Sequence, residues 1–276
     1  MPRVAAAALT ASLAGVVALA VQTGFLFLVV ATIVVAQCLI ASAPAPADRR
    51  GRAIASPQVG ATLVAGLVSA LFAYQPRFLL GAHGTQAGAD GVVSTGVFAG
   101  VLPGVAAGLI VAIVAQVARR DGRANLVRSL AAVTSLALLA ATASAWIGAA
   151  RASALSTARL PIGSEVVTLA CAAMAAGLAM WVLPLSRSIA GLLALAAGAA
   201  AAAGAAVLLD SSVEALYAAV VGAGAAGFAA MGLLVGHAWT RGRGHGSSGW
   251  GFPGALAFAM TGPLVYVGAQ LATARL

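Results

Sequence analysis

VAAAALTASLAGVVALAVQTGFLFLVVATIVVAQCLIA, residues 4–41, runs for thirty-eight residues without a charged side chain. Only Gln22, Thr23 and Gly24 interrupt its apolar character. A helix crosses the hydrocarbon core of a bilayer with about 20 apolar residues. The stretch is too long for one such crossing and just long enough for two joined by a tight turn. Two other readings stay open: a single span, or a cleaved signal peptide followed by one span. Ala18-Leu19-Ala20 fits a small-x-small cleavage site, although only Arg3 precedes the apolar run.

The rest of the chain has the same character. Of its 276 residues, 62% are apolar and 8% charged, whereas soluble domains carry roughly 25% charged residues. A soluble fold could not cover its exterior with so few polar groups. Lipid as solvent removes the requirement. The longest polar stretches, Pro44–Arg52, Gln75–Gly91 and Arg241–Gly251, are loop-sized, so the chain reads as one integral membrane domain over residues 1–276. The apolar runs are continuous rather than alternating, which excludes a transmembrane β-barrel. Helices satisfy their own backbone groups where water is absent. The expected fold is an all-α polytopic transmembrane bundle of about nine helices, or eight if the N-terminal stretch is not a hairpin. The expected spans are 4–20, 25–41, 53–74, 92–117, 130–150, 166–182, 189–209, 215–238 and 252–272.

Charge placement gives an orientation. All fifteen basic residues are arginine and the net charge is +9. With nine spans and a cytoplasmic N-terminus, eleven arginines fall inside and four outside, as the positive-inside rule expects. The inner loops contain Arg119, Arg120, Arg123 and Arg128, and then Arg241 and Arg243. These basic loops suit anionic lipid headgroups. The arginines do not cluster with aromatics, so a nucleic-acid partner is not expected. The arginine, alanine and glycine bias suits a high-GC bacterial genome, and the expected location is the bacterial plasma (inner) membrane.

Gly96, Gly100, Gly104 and Gly108 recur every fourth residue and form a ridge without side chains on one helix face. Gly232 and Gly236 repeat the spacing. Such ridges let another backbone approach closely, and the partner helix could belong to this chain or to another. Pro103 and Pro263 lack a backbone N–H and are expected to kink the fourth and ninth spans. Interrupted helices in corresponding positions can mark a transporter's substrate site. The expected spans contain no Asp, Glu, Lys, Arg or His in their interiors, which counts against proton coupling. Gln37, Gln116, Thr134, Thr142 and Thr168 are candidates either to line a path or to bond between helices. At helix starts, Ser164 with Glu165, and Ser211 with Glu214, have the pattern of N-caps. Tyr74, Trp146, Trp181 and Trp239 lie near span ends, where interfacial aromatics belong.

Catalysis has little support. His83 and four scattered carboxylates form no HExxH, P-loop or nucleophile elbow. Cys38 and Cys171 lie in apolar runs and read as small buried residues rather than a disulfide or metal site. No cofactor is expected. Two functions fit these observations. The first is a non-catalytic membrane subunit or scaffold in cell-envelope processes, bound to the lipid bilayer and to other membrane proteins or a second copy. The alternative is a small secondary transporter or permease for a small solute. A polar cavity between the fourth and ninth spans would favour transport, and an exposed glycine face would favour the subunit.

Overall fold

The computed structural model describes residues 2–45, 56–75, 100–118, 125–151, 162–241 and 251–274. Among them every regular element is an α-helix. In chain order these are α1 (Pro2–Gln22), α2 (Leu26–Ala41), α3 (Gln58–Tyr74), α4 (Val101–Val117), α5 (Leu126–Thr142), α6 (Ala145–Arg151), α7 (Ile162–Trp181), α8 (Arg187–Leu208), α9 (Ala215–Thr240) and α10 (Phe252–Ala274). Taken together, α5 and α6 make one crossing, Leu126–Arg151, which gives a bundle of nine helices among the described residues. Six of them are long and apolar enough to cross a membrane.

The N-terminal stretch is a hairpin. The helix ladder of α1 ends where Thr23 back-bonds to the Leu19 carbonyl, and Gly24 turns the chain at φ +75°, a conformation that only glycine adopts without strain. Thr10 donates to the Gly254 carbonyl at 3.0 Å, and Ala14, Val17 and Ala20 are fully buried. Thus α1 is packed into the bundle. Three consecutive helices, α3, α4 and α5, pack on one another, and so do α7, α8 and α9. Between them lies α10, which touches α1, α2, α5, α6, α7 and α9. Its first eight residues, Phe252–Ala259, are all buried.

The interior is made of small side chains. The buried residues of α8 are Ala190, Ala194, Gly198, Ala202 and Ala206, one every fourth residue, while Leu192, Leu195 and Val207 face outward. In α4, Gly104, Gly108 and Ala112 point inward while Ile110, Ile113 and Val114 are exposed. Lipid is as apolar as leucine, so helices gain nothing by hiding large side chains from it. Association is driven instead by close backbone packing, which small residues allow.

Several local expectations need correction. α3 begins at Gln58, after Pro57, because a residue preceding proline is pushed out of the helical region. α7 begins at Ile162, so Ser164 lies within the helix, where its carbonyl accepts from Thr168. Glu165 serves the α8–α9 connection rather than its own helix. One carboxylate oxygen accepts from Ser211 Oγ (2.6 Å), Ser212 Oγ (2.7 Å) and Ser212 N (2.9 Å). Ser211 therefore does not cap α9, whose N-cap is Glu214 without a side-chain bond. Trp146 is not interfacial but fully buried.

Candidate functional site

Thr142-Ala143-Ser144-Ala145 contains neither glycine nor proline, yet the Leu126–Arg151 crossing is interrupted there. Ser144 N bonds to Ala141 O at 3.1 Å, Trp146 N to Ala143 O at 3.3 Å and Ile147 N to Ser144 O at 2.9 Å. The ladder has slipped to three-residue spacing, a tightening that recurs at functional hinges within helices. One consequence is arithmetic. The Ala140 carbonyl would ordinarily receive the Ser144 N–H, which now goes to Ala141.

Side chains from other helices meet the carbonyls at this turn. Gln37 Nε2, from α2, donates to Ala140 O at 3.1 Å and to Gly66 O of α3 at 3.0 Å. Ser69 Oγ, from α3, donates to Ala141 O at 2.9 Å and lies 2.5 Å from Ser144 Oγ. Gln37, Ser69 and Ser144 are all buried. Gly66 admits the glutamine, since a methyl group there would lie 2.7 Å from Gln37 Cδ. Thr62, one turn before Gly66, is fully buried.

On the other side of the turn is α10. A methyl group at Gly262 would lie 3.1 Å from Thr142 O and 3.0 Å from Trp146 Cδ1, so glycine lets α10 press against the tightened turn. Trp146 stacks on Phe258 with ring centroids 4.9 Å apart and donates from Nε1 to Phe258 O at 3.0 Å. Pro263 follows directly, inside α10, and leaves Ala259 O without its helical donor. An interrupted crossing, α5–α6, thus meets an unbroken helix, α10, that carries an internal proline. Among the described residues the buried polar side chains are Thr, Gln and Ser, with no buried Asp, Glu, Arg or His.

Of the sequence candidates, Pro263 and Gln37 belong to this site. Pro103 does not. It is the third residue of α4, in the first turn, where a missing N–H costs no helical bond. Ala99, the expected point of the kink, lies outside the described residues. Helix α4 packs on α3 and α5 and makes no substantial contact with α10, so the expected cavity between the fourth and ninth spans is not where these helices meet. Gln116 donates to Ser129 Oγ at 2.6 Å, joining α4 to α5 elsewhere. Thr142 and Thr168 bond within their own helices, and Thr134 is half-buried on α5.

The glycines find their partners within the chain. Methyl groups at Gly100 and Gly104 would each lie 2.5 Å from an α3 carbonyl oxygen, that of Ser69 and that of Ala65. One at Gly108 would lie 2.7 Å from Ala65 Cβ. Gly96 lies outside the described residues. A methyl group at Gly232 would collide with the Ala257 backbone, and one at Gly236 would lie 2.5 Å from Pro253 Cα, both on α10. Gly198 and Gly222 hold α8 against α9, and no four-residue glycine run flags them in the sequence. The described arginines Arg3, Arg128, Arg187 and Arg241 lie at one end of the alternating helices, and Arg151 lies at the other, 5.8 Å from the Tyr74 ring. Arg119, Arg120, Arg123 and Arg243 lie outside the described residues.

Fold and site together are those of a multi-pass membrane-embedded helical bundle with a neutral polar centre. No protein-family model, curated protein or solved structure matches the chain.

Proposed function

We propose that the chain is a small secondary permease for an uncharged solute, with its site at the tightened α5–α6 turn. The observation that carries this reading is the meeting of the interrupted α5–α6 crossing with the proline-bearing α10, around backbone carbonyls that side chains of α2 and α3 reach. Irregular backbone at membrane depth is tolerated where it is buried in protein or lines a polar cavity, and broken helices supply carbonyls for substrates or ions in carriers. A centre built of Gln, Ser and Thr suits a neutral substrate. It also argues against proton coupling, which ordinarily uses ionisable groups within the membrane. The arginine bias supports a cytoplasmic N-terminus in a bacterial plasma membrane.

The other reading, a non-catalytic subunit or scaffold, drew its positive support from the glycine ridge. That support weakens, because α3 covers Gly100, Gly104 and Gly108. The test is purification in mild detergent followed by reconstitution into liposomes and uptake of labelled neutral solutes. Saturable uptake that ignores an imposed pH gradient is expected. No uptake above empty liposomes, together with a stoichiometric membrane partner in the purified sample, would instead make the chain a subunit.

A further inference from the structure

An unpartnered buried polar atom is costly, so native proteins leave few. Among the described residues five buried side-chain atoms lack a partner. Four belong to one region: Ser56 Oγ, Gln58 Oε1, Thr62 Oγ1 and Gln37 Oε1. The fifth is His237 Nε2, on α9. Gln58, Thr62 and Gly66 follow one another at four-residue spacing on one face of α3, and Gln37 enters opposite Gly66. The line covers about 12 Å of helix axis. Three of its side chains are almost wholly removed from the surface: Gln37 and Thr62 at 0% exposure, Gln58 at 6%. It begins at the end of α3 nearest the α2–α3 connection and leads into the Ser69–Ser144 pair.

The chemistry of the line is specific. Two of the four atoms are amide carbonyl oxygens, which only accept hydrogen bonds, and two are hydroxyls, which accept or donate. None carries charge. Such a line receives N–H and O–H groups and offers nothing to neutralise an ion. Gly66 sets the room beside it, because any side chain there would collide with the Gln37 amide.

We infer that this face of α3 is a water-accessible half-path, open toward the α2–α3 connection. It ends in a binding place for a small uncharged hydrogen-bond donor at Gln37 Oε1 and Thr62 Oγ1. The occupant is water or a neutral solute bearing hydroxyl or amide groups, which present the same donors. The use of the path for transport rests on the permease reading, whereas its existence does not.

The experiment is substituted-cysteine accessibility on the full chain in membrane vesicles, with Cys38→Ala and Cys171→Ala as background. Thr62→Cys and Gln58→Cys are treated from either side with a membrane-impermeant methanethiosulfonate. Leu67→Cys, on the lipid-facing side of α3, and Ala137→Cys, in the dry contact with α4, are the controls. Thr62→Cys is expected to react about tenfold faster than either control, and only from the side of the α2–α3 connection. A folded Thr62→Cys chain that reacts no faster than Ala137→Cys overturns the path. If Thr62→Cys does not fold, Thr62→Val decides. Loss of an unpartnered hydroxyl from a dry contact raises Tm, which overturns the path. Replacement of a hydrated hydroxyl by methyl lowers Tm, which supports it. Slower labelling in glycerol or acetamide identifies a solute site, and unchanged labelling identifies water. Labelling without solute uptake in liposomes sinks the permease reading and keeps the path. Uptake without labelling does the reverse.

Discussion

Gly15 and Gly104 are both helical glycines, and their surroundings are opposite. A methyl group at Gly15 would meet nothing within 4 Å, whereas one at Gly104 would lie 2.5 Å from the Ala65 carbonyl oxygen. Backbone cannot move aside as a flexible side chain can. Gly104→Leu is therefore expected to cost about 3 kcal/mol or more by overpacking, seen as lost expression or a lower Tm in detergent. Gly15→Leu should leave both unchanged, and equal behaviour of the two variants would contradict the packing. Gln37→Leu is a different kind of test. It strips the Gly66 and Ala140 carbonyls of the amide donor and should destabilise by about 1–3 kcal/mol, measured by thermal unfolding. The ridge from Gly100 to Gly108 could be read from the sequence because its spacing is regular. Gln37 could be read as polar and intramembrane, but its meeting with Gly66 joins residues far apart in the chain.

At the scale of the helix, the α5–α6 turn marks the limit of what local sequence shows. Ala-Ala-Thr-Ala-Ser-Ala is an unremarkable helical stretch by propensity, and proline and glycine are the usual signs of a break. The tightening depends on neighbours, namely Gln37, Ser69 and the close approach of α10 at Gly262. The proline of α10 could be read from the sequence, but α10 runs unbroken through it, its partner could not be read, and the expected pairing with Pro103 joined helices that make no substantial contact. The same tertiary override moved Trp146 from the expected interface to a stack on Phe258. Pro263→Ala restores an N–H that can bond Ala259 O within α10. It is expected to hold or raise Tm while slowing solute uptake in liposomes. A fall in Tm with uptake unchanged would show that the proline serves packing instead.

Across the whole molecule, hydropathy made the number and class of the helices readable, because a bilayer demands long continuous apolar runs. It also carried the hairpin at Gln22–Gly24. Deletion of residues 1–24 removes α1, and with it the Thr10 bond to Gly254 and the apolar cover of α7 and α10. The shortened chain is expected to accumulate poorly and to unfold at lower temperature. Normal accumulation, followed by immunoblot of membranes, would show that α1 is a dispensable attachment.

The small-inside, large-outside arrangement of α4 and α8 has a consequence for how the bundle assembles. Alanine and glycine have no rotamers to lose, whereas leucine and isoleucine forfeit roughly 0.5–1 kcal/mol each when buried. Helices already inserted in lipid therefore come together here with almost no side-chain ordering. Leu192, Leu195, Ile110 and Ile113 keep their conformational freedom among the acyl chains.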